Sequence, residues 1–581
     1  MSPPSPSARS RIATAVSERA APRPLAALAI LLAACALLLP GLGAPDLWAP
    51  DEPRYAQVAE ELRAGAGGRV LLHLGGEPYA QKPPLYFWLA ALAGAPEGRV
   101  GERAARLPSA LAGVATALLT LALGTTLLGR RSGALGAALL LALPTFVRLA
   151  RRAQLDVLLA ACEGLALLAW AACAREPRLR ARQLAPVHAA LALAVLAKGP
   201  VGALVPLLAF AAHRSWERSR GALAPADGAA PPGLARGFLR ALREVAAPRW
   251  LALSLGPALA WLAASAALAD GAFLGEAVGE NLLGRFFLGT SHARPLHYYL
   301  RQLPLDFLPW TLLWPLAWAV ARERSAGPRG LAWRLLACWI GAALLFFSVS
   351  AGKRGLYLIP IFPALALLCA DALVAALPRR GRTPRWLGAL ALALVAALLA
   401  AGALLAPLLA RHGLAAPPGA SAAPLAAAAV GAAAWCALRG RPLARVWALA
   451  GLVALSEAIA AHGVLPALDP EKSPRPVALA AAAAAGPGAA VATSRPSLLG
   501  ALLYYGGGPV RRVATPDEVA AFAAGGGRVL VVPAQDLHLA TACGPVRVHA
   551  RLREGRRALL VVSPLAPSPP CATRDVRAGT Y

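Results

Sequence analysis

Lysine is scarce in this chain: among 58 basic residues only Lys82, Lys198, Lys353 and Lys472 are lysine, and the rest are arginine. Methionine and asparagine occur once each, the latter as Asn281. Against a composition drifted toward Ala, Arg, Gly, Pro and Leu, the surviving lysines are candidates for places that need a compact ammonium instead of a flat guanidinium. Chance survival is the alternative for any one of them. The eight cysteines show no CxxC spacing and lie mostly in apolar segments, which argues against a zinc site or a disulfide framework. Cys543 and Cys571 could pair if the C-terminal part is exported. Acidic residues are few, 29 against 58 basic, giving a net charge of +29. In a soluble protein that excess would suggest nucleic acid. Here the arginines fall in short clusters between apolar runs, the positive-inside pattern of a membrane protein, and the nucleic-acid reading is rejected. A chain with 58% hydrophobic and 15% charged residues is also too apolar for a soluble multidomain protein.

The apolar runs suggest about thirteen membrane spans, at roughly 24–42, 107–128, 133–149, 157–174, 184–197, 200–212, 250–268, 304–320, 332–350, 356–377, 386–409, 423–438 and 446–463. The fifth and sixth are short. A cleaved signal peptide ending near Gly43-Ala44 is the alternative for the first run, though the many later spans favour a retained first span. With the N-terminus in the cytoplasm, the clusters Arg130–Arg131, Arg175–Arg182, Arg214–Arg249, Arg322–Arg334, Arg379–Arg385 and Arg439–Arg445 all become cytoplasmic. The C-terminus then lies outside. Outward too are a first loop (43–106), the surroundings of Arg151–Asp156, the turn Lys198-Gly199-Pro200, a loop 269–303 and the turn at Lys353-Arg354. All four lysines and Asn281 share that side.

Beyond residue 464 the pattern changes. Gly488–Thr493, Arg528–Pro533 and Ala558–Val562 read as short buried strands, and Thr515-Pro516-Asp517-Glu518 reads as a helix start with a capping box. The alanine run 478–485 suits a helix. The expected architecture is therefore a polytopic α-helical membrane part (1–463), with outward loops 43–106 and 269–303 carrying the chemistry. A small extracytoplasmic, periplasmic α/β domain (464–581) follows.

The first outward loop is rich in polar chemistry. Asp51, Glu52 and Arg54 open a helix whose apolar positions, Tyr55, Val58, Ala59 and Leu62, recur at helical spacing opposite Glu60, Glu61 and Arg63. Such a helix suits the membrane interface. Asp51 could simply cap it and Arg54 pair with a neighbouring carboxylate. The functional reading is a carboxylate pair beside an arginine, suited to taking a proton next to a phosphate. Gln81-Lys82-Pro83-Pro84 follows, flanked by Tyr79, Tyr86, Phe87 and Trp88, as an interfacial lysine within an aromatic belt or a phosphate ligand. Asp156 opens an apolar run, expensive unless paired or used, with Arg152 as the simplest partner. Lys198 has the look of a turn marker. The loop 269–303 offers Arg285, His292 and Pro295-Leu296-His297-Tyr298-Tyr299, and a lone histidine there is more often ordinary than a metal ligand. Lys353, Arg354 and Tyr357 follow the end of another span.

The ordered set Trp48…Asp51-Glu52-Pro53-Arg54-Tyr55-Ala56, Lys82-Pro83-Pro84, Asp156, Lys198-Gly199, Arg285-Phe286…Pro295…Tyr298-Tyr299 and Phe347-Ser348…Lys353…Tyr357 resembles the polyprenyl-phosphate-sugar glycosyltransferases of the GT-C fold. Within these it is similar to the bacterial branch of lipid A aminoarabinose transferases and relatives of protein O-mannosyltransferases. That resemblance, running from about residue 45 to 365, implies inverting transfer from undecaprenyl phosphate-sugar to a periplasmic acceptor such as lipid A, another glycan or a protein. It implies Asp51 as base or acceptor-orienting group, Asp156 as second acid with Glu52 beside the base, and Arg54, Lys82, Arg285, Tyr357 and Lys353 on the donor phosphate. Tyr55, Tyr79, Gln81 and His292 complete the set as acceptor or cavity residues. Aminoarabinose transferases usually carry an acidic residue just before the lysine. Gln81 stands there instead, which removes a carboxylate that could serve a divalent metal; such a metal stays an open but disfavoured alternative, and no cofactor is assigned. A transporter or flippase of a lipid-linked sugar is the alternative, favoured by midplane charges and pseudo-repeated halves. Neither is visible. A structural envelope protein leaves the clustered loop charges unexplained.

Overall fold

The computed structural model describes residues 22–565, except 67, 222, 224–232, 270, 289–291, 328, 378–380, 412, 418, 543 and 556. Cys543 and Cys571, and any pairing of them, fall outside the described residues. The contacts divide the chain into two units. One comprises residues up to 42, 80–89 and 106–464; the other comprises 43–79, 90–105 and 465 onward.

The first unit is helical. Among the described residues seven helices are long and apolar enough to cross a membrane, and nine if two bent pairs each count as one span. Helices stand at each of the positions expected for spans. Several fall short as crossing segments: Pro24–Leu38 and Ala422–Ala437 are short, while Ala181–Lys198 and Val201–Ser219 carry charged residues at their ends. The bend of 69° between Arg130–Leu141 and Pro144–Ala150 sits at Pro144, which has no N–H to continue the helical ladder. Several of the charged groups buried in this unit are paired. Asp371 accepts from Ser132 Oγ at 2.8 Å and Trp333 Nε1 at 2.9 Å, and pairs with Arg329. Arg214 forks onto Glu244 at 2.7 and 2.9 Å, where Arg218 joins it at 2.7 Å. These pairs lie within the expected cytoplasmic arginine clusters, so some of that charge fastens helices to one another.

The second unit is built on a five-stranded sheet. Two two-residue strands, β1 (His73–Leu74) and β2 (Glu77–Pro78), form a small hairpin. The main strands are β3 (Val491–Thr493), β4 (Val510–Arg512), β5 (Val529–Pro533), β6 (Val546–Glu554) and β7 (Arg557–Pro564), in the order β4-β3-β5-β7-β6. β3 is parallel to both β4 and β5, whereas β7 is antiparallel to β5 and β6. Alternation along β5 sends Val529 and Val531 to one face and Leu530 and Val532 to the other, and each face builds its own core. One core is closed by Val477 and Ala481 of the alanine-rich helix Arg475–Ala485; the other is closed by Val519 and Phe522 of helix Pro516–Ala524. Thr515 caps that second helix, accepting Glu518 N–H at 3.3 Å, and Glu518 reaches back to Ala514 N–H at 2.5 Å, one residue before the expected box partner. Strands β4 and β6 escape a reading by apolar runs because their residues are largely polar and exposed.

Candidate active site

In the second unit, helix Asp51–Arg63 begins with two acidic residues and ends with Arg63, each placed favourably for the helix dipole. Its apolar face, Tyr55, Val58, Ala59 and Leu62, is buried. Protein, not membrane interface, covers that face in part: the helix packs on helix Leu499–Gly506, and a Cβ on Gly500 would stand 2.5 Å from the Arg54 Cα. Asp51 and Glu52 are both buried. Arg54 Nη2 meets Asp51 Oδ1 at 2.5 Å, and its guanidinium lies 5.4 Å from the centroid of the Tyr55 ring. Burial works against the Arg54 charge, but Tyr79, Tyr55 and Asp51 around it outweigh burial and raise its pKa above the ordinary arginine value. Glu52 accepts the Trp48 N–H at 3.1 Å and so fixes the entry to the helix. Tyr79 closes the β1–β2 hairpin, donating its N–H to Leu72 O at 2.8 Å.

The entry segment is tied to the C-terminal part of its own unit. Asp46 accepts Ser473 Oγ at 2.7 Å and pairs with Arg475 at 3.1 Å. Asp469 receives both the Asp46 N–H at 2.9 Å and Trp48 Nε1 at 2.7 Å. Tyr505 takes the Leu47 N–H at 2.8 Å. These bonds hold the chain immediately before Asp51.

In the first unit, Asp156 lies in the first turn of helix Leu155–Cys173, where a carboxylate complements the helix dipole. Its partner is Lys198, not Arg152 as the sequence suggested; the two form a close ion pair between side chains that are 10% and 6% exposed. The Lys198 ammonium stands 4.3 Å from the centroid of the Tyr357 ring. Gly199, at a φ of 87°, turns the chain immediately after Lys198, and Gly202 lets the next helix pack closely on Ala194. Beside this pair lies a cavity of about 220 Å³, lined by Gln81, Lys82, Lys198, Asn281 and the apolar faces of Trp261 and Leu262. Glu163, two turns along from Asp156, is buried within electrostatic reach of both Lys198 and Asp156. Sequence reading passed over Glu163, although the seven-residue spacing from Asp156 puts both on one helix face.

The remaining expected residues lie elsewhere. Lys353 is buried: its ammonium donates to Arg294 O at 3.1 Å and to Ser350 O, and its N–H donates to His292 O at 3.0 Å. It ties the loop at 292–294 to the end of helix Gly330–Val349. The His292 ring is exposed and its backbone has a φ of 60°. Tyr299 donates its hydroxyl to Arg354 O at 3.1 Å. Arg285 lies on helix Gly275–Leu288, and its side chain falls outside the described residues. Among the described residues no group of three or more His, Cys, Asp or Glu is placed to hold a metal ion.

Helices long and apolar enough to cross a membrane, a lysine–aspartate pair beside an apolar-walled cavity and an α/β unit together have the GT-C fold. The crystal structure of ArnT from Cupriavidus metallidurans bound to undecaprenyl phosphate has this fold, with a TM-score of 0.68 at 23% identity over 94% of this chain and 99% of that one. The archaeal oligosaccharyltransferase AglB from Archaeoglobus fulgidus is a more distant likeness, with a TM-score of 0.50 at 15% identity over 88% and 70% of the two chains. In sequence, residues 81–226 match the family described as dolichyl-phosphate-mannose-protein mannosyltransferase. The particular proteins it is similar to are undecaprenyl phosphate-alpha-4-amino-4-deoxy-L-arabinose arabinosyl transferases. That of Pseudomonas savastanoi pv. phaseolicola is 31% identical over 61% of this chain, and that of Pseudomonas aeruginosa strain LESB58 is 33% identical over 56%. The matches span 63% and 56% of those relatives' lengths. The family resemblance read from the sequence motifs therefore holds.

Proposed function

We propose that the chain is an inverting glycosyltransferase of the bacterial inner membrane that moves a sugar from a polyprenyl phosphate to an envelope acceptor such as lipid A. The observation that carries this reading is the Lys198–Asp156 pair over the Tyr357 ring, beside a cavity lined by Lys82 and Asn281. A phosphate leaving group is already anionic, so its departure needs fixed cations and not a general acid. Lys82 and Lys198 supply ammonium groups on the cavity wall, and Trp261 and Leu262 offer an apolar surface for a polyprenyl tail. Undecaprenyl phosphate is what the Cupriavidus protein of the same fold binds, which supports that donor carrier here.

In this scheme Asp156 orients Lys198 and partly neutralises it until the phosphate arrives. Arg285 and Tyr357 complete the donor set. Asp51 is the base or acceptor-orienting group, held by Arg54, while Glu52 shapes the helix entry. Tyr55, Tyr79, Gln81 and His292 remain proposed acceptor or cavity residues. Lys353 acts on the donor side by fixing its loop. The thirteen-span topology, with a cytoplasmic N-terminus and a periplasmic C-terminal domain, belongs to the same proposal; the common side it gives to all four lysines supports it.

Purified protein supplied with radiolabelled polyprenyl-phosphate sugar and lipid A tests the reading. Lys82→Ala and Asp51→Asn are expected to abolish transfer while the protein still inserts and elutes as the wild type does. Full transfer by Asp51→Asn removes the base assignment, and accumulation of lipid-linked sugar on the cytoplasmic leaflet without any glycan change replaces the transferase with a flippase.

A further inference from the structure

A second cavity, of about 500 Å³, lies in the first unit where helix Glu102–Leu128 ends and helix Arg130–Leu141 begins. Its lining shares no residue with that of the cavity beside Lys198. Arg23, Arg130 and Arg131 line it, with no Asp or Glu among the lining residues, and Leu121 and Trp447 supply part of an apolar wall.

Two further features point to an anion. Helix Arg130–Leu141 starts after Gly129, which has no side chain to cap it, and Arg130, Arg131 and Ala134 bring the positive end of its dipole to the cavity. Thr125 also lines the cavity; it is 3% exposed, and its hydroxyl has no hydrogen-bond partner. Its neighbours on the same helix behave differently. Thr116, Thr120 and Thr126 each bond back to the carbonyl four residues earlier, at 2.7, 2.7 and 2.9 Å. Of the four threonines on this helix Thr125 is thus the one left with an unused donor, and a buried hydroxyl without a partner is costly unless a ligand completes it.

We infer that this cavity holds the phosphodiester headgroup of an anionic phospholipid from the surrounding bilayer. The arginines and the helix start take the phosphate, Thr125 donates to one of its oxygens, and the acyl chains follow the wall at Leu121 and Trp447. The apolar wall on helices of membrane-spanning character favours a lipid over free phosphate. The site lies beyond the transfer reaction and stands or falls without it.

Full-length protein in neutral detergent tests this by native mass spectrometry and thermal unfolding, with phosphatidylglycerol, phosphatidylcholine or inorganic phosphate added. Phosphatidylglycerol is expected to stay bound and raise the melting temperature, whereas the other two do neither. Loss of two of the exposed arginines, in Arg23→Gln/Arg131→Gln, should weaken phosphatidylglycerol binding by about tenfold or more. Thr125→Val should weaken it less, with an unchanged elution volume for both variants. Equal retention of phosphatidylcholine, equal stabilisation by inorganic phosphate, or wild-type binding by the double variant overturns the inference.

Discussion

Lys198 ends its helix one residue before a glycine held at a φ of 87°, a place where the sequence alone marks only a turn. The fold gives it a partner 42 positions away in Asp156. Removing one member of so buried a pair strands the other, so Lys198→Ala should cost about 3 kcal/mol of stability as well as transfer. Replacing both, as Lys198→Met with Asp156→Leu, is expected to restore thermal stability without restoring transfer. Recovery of transfer in that double variant would reduce the pair to packing. At this scale the sequence was only partly legible. Scarcity pointed to the lysines, and motif order pointed to Asp51, Lys82 and Asp156. Which cation faces which carboxylate was not, because Arg152 is near in sequence while Lys198 is near only in space. Lys353, expected on the donor phosphate, donates to the carbonyls of Arg294 and Ser350, contacts that depend on where a loop returns.

Among the elements, helix Asp51–Arg63 shows how a periodic pattern fixes a face without naming what covers it. The spacing of Tyr55, Val58, Ala59 and Leu62 identified the buried face, but helix Leu499–Gly506, which packs on it, lies far along the chain. On the opposite side Glu60 accepts from Arg63 at 2.9 and 2.6 Å and from the Val100 N–H at 2.6 Å. Burial pushes the Glu60 pKa up, but the Arg63 and Val100 hydrogen bonds outweigh it, and the net shift is downward. A lowered folded-state pKa stabilises fully above the ordinary glutamate value of about 4.3, and that contribution fades as pH falls below it through the folded value. Hydrogen exchange at the Val100 amide should therefore speed up on acidification across that window, beyond its intrinsic trend. Glu60→Gln should flatten the response, and an unchanged profile in the variant would sink the assignment.

At the scale of the molecule, apolar runs and arginine clusters were enough to recognise a helical membrane protein with an α/β part near its C-terminus. They could not reveal that the contacts group residues 43–79 and 90–105 with that part, since local pattern says nothing about partners hundreds of residues away. A chain truncated after 464 loses helix Leu499–Gly506 along with Asp469, Ser473, Arg475 and Tyr505, leaving Tyr55, Val58 and Leu62 less covered. Limited proteolysis of the truncated protein in membranes should cut within 43–79, where the full chain resists. Equal resistance would show that this segment folds without the C-terminal part.

The bonds from Asp46 and Trp48 to Asp469 also carry a consequence for the order of synthesis. They join positions 423 and 421 residues apart. At ribosomal speeds of about 5–20 residues per second, the segment before Asp51 waits roughly 20–80 s for its partner to be made. During that interval the emerging chain can insert its helices but cannot lock the entry to the helix that bears Asp51. A transcript cut short thus yields a chain whose segment before Asp51 lacks these bonds, and they wait for translation to reach the last stretch of the message.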